Sequence, residues 1–236
     1  MAANSFFFDN NKNLHTQEDF FHDEKENSWS SINYRPSFFG STAKAPLILS
    51  GKVFNSVSFK DTTIENVKFI NCTFNNCLFI GGFFNKCEII ECAFHGTNTH
   101  KVKIRCCLID PKQFDKNFEL KHDANIAVDL FQELYKNSKA EEQPKYANDS
   151  LYKMNVALGY NLNYKYRSQK ITLLKFIYEK TKDVINRFAT GYGLKIGRMF
   201  FTVIITIFFM SIVNFNFKQG FISNTNDEIK TFIDAF

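Results

Sequence analysis

Residues 57–96 read VSFKD TTIEN VKFIN CTFNN CLFIG GFFNK CEIIE CAFHG, a run of five-residue blocks. The centre of each block is large and apolar: Phe59, Ile64, Phe69, Phe74, Phe79, Phe84, Ile89 and Phe94. The series begins upstream with Leu49 and Phe54 and, after a polar break at Thr99, resumes with Ile104 and Ile109. A period of five fits neither the 3.6 of an α-helix nor the 2 of a flat strand. A fixed repeat of this kind describes a solenoid, in which each unit buries its apolar residue against the next.

Two places before each large residue stands a smaller one: Val57, Thr62, Val67, Cys72, Cys77, Gly82, Cys87, Cys92, Thr97, Val102 and Cys107. One large and one small inward residue per five fills a narrow tube. The blocks, over about residues 47–110, resemble the pentapeptide-repeat family. That resemblance implies a right-handed quadrilateral β-helix with four pentapeptides per coil. Residues twenty apart then stack, in columns Phe54-Phe74-Phe94, Phe59-Phe79 and Phe69-Ile89-Ile109. A short solenoid needs closed ends, and the aromatic residues Phe20, Phe21, Trp29, Phe38 and Phe39 are candidates upstream, within a polar N-terminal arm or cap spanning 1–46.

This placement decides how the cysteines read. Cys72 with Cys92, and Cys87 with Cys107, are expected one coil apart in the core, with Cys77, and not in the close CxxC knuckles of a zinc site. Cys106 is expected to face outward. The N-terminus carries neither a basic n-region nor a signal-length apolar run, so reduced thiols are expected. Between Lys52 and Arg105 there are seven basic and four acidic residues, which disfavours imitation of DNA by an acidic surface. His15, His22, His95, His100 and His122 are isolated. Asp61, Glu65, Glu88 and Glu91 read as solvated carboxylates, and no glycine has the lysine-serine context of a phosphate loop. No catalytic, cofactor or metal site is expected.

After Pro111 the period becomes helical, giving an α-helical linker and hairpin over 111–189. Ile126, Ala127, Leu130, Phe131 and Leu134 mark one helix face; Ala147, Leu151, Met154 and Leu158 mark a second. Leu173, Leu174, Ile177, Val184 and Phe188 mark a third. From Lys165 to Arg198 nine lysines or arginines face only Glu179 and Asp183. This reads as attraction to anionic lipid and not to nucleic acid. The basic junction 190–198 holds Gly191, Tyr192, Gly193, Lys195 and Arg198. Residues 199–217, MFFTVIITIFFMSIVNFNF, carry no charge and are long enough for a transmembrane helix. The positive-inside rule places the N-terminal domains in the cytoplasm in a single-pass arrangement, with the lipid bilayer as one partner.

The order of solenoid, helical linker, ATGYGLKIGRMFF and one span is similar to bacterial pentapeptide-repeat proteins fused to a two-helix potassium-channel module. By that resemblance TFIDAF, in the tail 218–236, is the opening of a pore helix, and the filter and second membrane helix fall beyond the sequence. TGYG precedes the first span here, so it is not expected to select ions, and the chain is not expected to conduct alone. The leading expectation is a noncatalytic membrane-anchored scaffold that contacts a protein partner or itself. The alternative is a truncated or split channel subunit.

Overall fold

The computed structural model describes residues 11–217, and the chain divides into two compact units, Met1–Phe176 and Ile177–Phe236. The first is a β-solenoid of parallel sheets followed by a helical hairpin. One sheet takes β1 (Lys12–Leu14), β2 (Ser28–Tyr34), β5 (Val53–Ser58), β8 (Thr73–Asn75) and β11 (Ala93–His95) in that order. A second takes β3 (Phe38–Gly40), β6 (Thr63–Glu65), β9 (Phe83–Asn85) and β12 (Lys103–Arg105). A third takes β4 (Leu47–Ser50), β7 (Val67–Ile70), β10 (Glu88–Ile90) and β13 (Leu108–Ile109). The remaining side is held by single parallel bridges, Ser58 to Leu78 and Leu78 to Asn98.

The spacing of twenty is realised residue by residue. Phe54 pairs with Phe74 and Phe74 with Phe94, and Phe69, Ile89 and Ile109 are in register. The rings of Phe54, Phe74 and Phe94 stack at 4.6 and 4.7 Å, within 9° of parallel, which matches the spacing of adjacent strands, about 4.8 Å. Phe59 stacks on Phe79 at 5.5 Å. Such ring pairs contribute about 0.5–1.5 kcal/mol each beyond their area burial.

Turning a corner after every block requires a left-handed residue, and φ is positive at every fifth position from Gly51 to Cys106. Asparagine and glycine tolerate that region best. This accounts for Asn66, Asn71, Asn76, Gly81 and Gly96 at the corners. The polar residues of the repeat are therefore as periodic as its phenylalanines.

The solenoid also reaches further upstream than the five-residue series from Leu49. Trp29 pairs with Phe54 and Phe39 with Ile64, each twenty-five residues apart, whereas Leu49 pairs with Phe69 at twenty. The first coil thus holds one additional block between Gly40 and Leu47. Asn66 anchors that excursion by donating to the carbonyls of Ala43 and Ala45 at 2.8 and 3.2 Å. Gly40 begins it with φ +137, and a Cβ there would lie 2.0 Å from the Glu65 carbonyl.

Both ends are closed in the same way. At the N-terminal end α1 (Gln17–His22) inserts Phe20, fully buried, onto Trp29 at 4.7 Å. The Gln17 amide donates to the Gly40 carbonyl and accepts from its N–H, at 3.1 and 2.8 Å. At the C-terminal end a 3₁₀ turn, Pro111–Phe114, sets Phe114 on Phe94 at 4.2 Å. There Gln113 bridges the Cys92 N–H and the Ile89 carbonyl, and Asn117 bridges both polar groups of Thr97. Asn137 does the same for Cys107, at 3.0 and 2.8 Å. These amides supply the hydrogen bonds that another coil would have made.

Asn137 lies on α2 (Leu120–Ala140), which packs against α3 (Pro144–Arg167). The hairpin buries Ala127, Leu130, Phe131 and Leu134 on α2 and Ala147, Ser150 and Ala157 on α3, and Leu130 also faces the end of the solenoid core. Leu158, expected on the packed face of α3, is instead 37% exposed. The second unit holds most of α4 (Leu173–Ile185), a π-helical turn Asn186–Thr190, and α5 (Ile196–Phe217). Leu173, Leu174, Ile177, Val184 and Phe188 are exposed.

Thr99 occupies the inward place that Phe59 and Phe79 hold in earlier coils. Its hydroxyl is buried without a partner, beside Phe79, Ile104 and Leu130. Removing an unpaired buried hydroxyl at constant volume is favourable, so Thr99→Val is expected to stabilise the protein by about 1 kcal/mol in thermal unfolding. Asn137→Ala orphans two backbone groups and is expected to cost about 2 kcal/mol or more in the same measurement.

Candidate functional site

The small inward positions satisfy the backbone of the coil beneath them. Cys72, Cys77, Cys87 and Cys92 each donate a thiol to the carbonyl twenty-three residues earlier, at 3.3–3.5 Å. Thr97 donates its hydroxyl in the same way, to Phe74 at 3.2 Å. In return the sulfurs of Cys92 and Cys107 accept the N–H of Cys72 and Cys87, at 3.4 and 3.3 Å. Cysteine suits this place because it is small and both donates and accepts weakly.

All six cysteines are free thiols, and five are buried. Burial pushes Cys77 up to about 12. Cys92 and Cys107 are raised by hydrogen bonding to Cys72 and Cys87 and then by burial, while that same bond lowers Cys72 and Cys87. Among the described residues no three His, Cys, Asp or Glu side chains converge to hold a metal ion.

Cys106 sits at an exposed left-handed corner, φ 52. It lines a groove of ≈ 450 Å³ between β12 and α2 with Lys103, Arg105, Glu133 and Lys136. Glu133 pairs with Lys103 at 3.5 Å and Lys136 at 2.8 Å. Two of the solenoid carboxylates are likewise engaged: Glu88 pairs with Lys68 at 2.7 Å and Glu65 accepts from Asn85 at 2.9 Å.

The residues around TGYG form a hydrogen-bonded elbow. Gly191, Tyr192 and Gly193 are all left-handed, at φ 58, 59 and 77. Tyr192 N–H donates to Asn186 at 2.9 Å, and Gly193 N–H reaches the Thr190 carbonyl and hydroxyl at 3.2 and 3.1 Å. The Tyr192 hydroxyl donates to Asp183 at 2.6 Å. From α5, Arg198 donates to the Arg187 carbonyl and Thr202 to that of Ala189, at 2.9 and 2.7 Å. The Lys195 stem packs under Gly191, where a Cβ would come within 2.8 Å of it. The glycines permit the turn, but the turn is held and not loose.

Beyond the elbow α5 is apolar on every side. Its stretch Ile196–Val213 has a mean hydropathy of 2.2, with 6% of its residues buried. Phe200, Phe201, Ile204 and Phe209 are each more than 60% exposed. The helix is long and apolar enough to cross a membrane. The stretch TFIDAF lies outside the described residues. Comparison with protein-family models, curated proteins and solved structures found no match.

Native labelling with a thiol reagent is expected to modify one cysteine per chain, Cys106, and all six after unfolding. Cys106→Ser is expected to abolish the native reaction.

Proposed function

We propose that this protein is a noncatalytic membrane-anchored scaffold that presents its β-solenoid on the cytoplasmic side as a binding surface. The observation that carries this reading is the outward apolar surface of α5. Each large apolar side chain contributes about 1.5–3 kcal/mol on full burial, and the exposed series from Ile196 to Met210 demands an apolar surrounding. Twenty-two residues at about 1.5 Å each give α5 a length near that of a hydrocarbon core, about 30 Å.

The approach to α5 supports the same reading. Leu174, Ile177, Tyr178, Val184, Ile185 and Phe188 expose an apolar stripe, and Lys175, Lys180 and Lys182 lie on the same helix. Helices of this pattern lie in the membrane interface, and lysines there are attracted to anionic headgroups. On the solenoid the buried positions are engaged in packing and backbone satisfaction, which leaves outward columns for recognition. No cofactor is required for that role.

A second reading treats the chain as a truncated or split subunit of a pentapeptide-repeat potassium-channel-like protein. The order of solenoid, linker, GYGLKIGRMF and span favours it. The elbow argues against TGYG as the filter, because the Thr190 and Gly191 carbonyls accept bonds from Gly193 and Leu194, whereas a filter offers its carbonyls to ions.

Fractionation of the full chain and of a chain lacking residues 199–217 tests the anchor. The full chain is expected in alkali-washed membranes and the deleted chain in the supernatant. Recovery of the intact chain in the supernatant would refute both readings.

A further inference from the structure

The side of the solenoid built from β4, β7, β10 and β13 carries two outward columns whose order is self-complementary. The first runs Ile48, Lys68, Glu88, Leu108, and strand pairing holds these four in register. The second runs Ser50, Ile70, Ile90, with Asp110 next in sequence phase. The end residues are unusually exposed for aliphatic side chains, Ile48 at 58% and Leu108 at 40%, and Ile70 and Ile90 are half-buried. The side carrying β5, β8 and β11 offers Val53, Thr73 and Ala93 in the first of the equivalent columns and Asn55, Asn75 and His95 in the second, without a charge order of this kind.

We infer that this side is a pairing surface for a second copy of the same chain, related by a two-fold axis that runs along the strands between β7 and β10. A rotation about that axis reverses the stack and keeps each column opposite itself. Ile48 then faces Leu108 of the other copy, Lys68 faces Glu88, and Ile70 faces Ile90. Lys68 and Glu88 already pair within a chain at 2.7 Å, so the dimer centre becomes a square of four alternating charges flanked by aliphatic contacts. An isologous interface requires this kind of self-complementarity. Unreversed stacking, with the two-fold along the solenoid axis, would exchange the two columns and set Lys68 against Ile70 and Glu88 against Ile90, and charges desolvated against aliphatic side chains oppose association.

Four rungs about 4.8 Å apart make a face much smaller than the ~800 Å² per partner of a stable soluble dimer. The face therefore sets partner and register, and a raised local concentration supplies the remainder. That last step rests on the membrane anchor proposed above.

The test uses two differently tagged full-length chains expressed together, with cross-linked dimer measured in both membrane and soluble fractions. Lys68→Glu makes both central charges negative, and Glu88→Lys makes both positive. Each variant alone is expected to lose at least about tenfold of the dimer, and the two together are expected to restore it. In a Cys106→Ser background, chains carrying Ile48→Cys and Leu108→Cys are expected to form a mixed disulfide under copper-phenanthroline oxidation, while Ile48→Cys alone forms none with itself. Mixed charge variants that pair no better than either alone would overturn the inference, as would disulfides between two copies at position 48. Dimer that appears only after deletion of residues 1–10 would overturn it in favour of cover by that segment. Pairing by a chain found in the soluble fraction would refute the anchor and uphold the face; membrane-bound chains that do not pair would refute the face alone.

Discussion

A column of rings runs the length of the solenoid: Phe20, Trp29, Phe54, Phe74, Phe94 and Phe114 stack in succession at 4.2–5.0 Å. Flat rings at strand spacing leave no gap between coils, so each coil must return to the same azimuth after one circuit. Twenty residues satisfy this with four equal sides. When the first coil takes twenty-five, the surplus is expelled as a loop between Gly40 and Leu47 and the column stays intact. The left-handed corners follow from the same requirement, since four tight turns per circuit need a residue at positive φ after each block.

A tube of parallel strands has an exposed edge at each end, and unpaired edges invite addition of further strands. Here side-chain amides complete the ladder from outside it. Gln17 serves the first coil, and Gln113, Asn117 and Asn137 serve the last. An amide carries a donor and an acceptor in the spacing of a peptide group, so one side chain satisfies both polar groups of a strand residue. Within the tube the same need is met by thiols and a threonine hydroxyl. The cysteines are thus hydrogen-bonding residues first, which is consistent with their burial and with the upward shift at Cys77.

The solenoid was legible because its period is neither helical nor strand-like, and the columns through Phe54, Phe59 and Phe69 follow once the pentapeptide-repeat resemblance supplies four blocks per coil. The first coil was less legible although its signal was present: Trp29, Tyr34 and Phe39 keep the phase of Leu49. The exposed Lys44, at the next place in that phase, breaks the series and makes the segment read as polar. Asn117 and Phe114 keep phase too, and so extend the repeat into its own cap. Asn137 gives no such sign, because a polar residue on a helix reads the same whether it faces solvent or a strand edge. In the second unit, TGYG has the letters of a filter, and only its surroundings separate the two. Asn186, Thr190 and Asp183 bind its polar groups locally, and pairwise hydrogen bonds of that kind have no periodicity to reveal them.

The two closed ends have a consequence for how this solenoid meets other molecules. With Phe20 and Phe114 covering the core at the two ends and amides meeting single backbone groups there, the sides of the tube are its long surfaces for contact. Two of every five residues are fixed by the interior and a third by the corner, so only two per block are free to carry recognition. Those two repeat every twenty residues into straight columns at strand spacing. Another solenoid of the same construction presents its own columns at that interval, which is the basis of the self-pairing inferred above. On the side carrying Lys68 and Glu88 the sequence within the columns adds what the spacing cannot, an order of apolar, positive, negative and apolar groups that matches its own reversal.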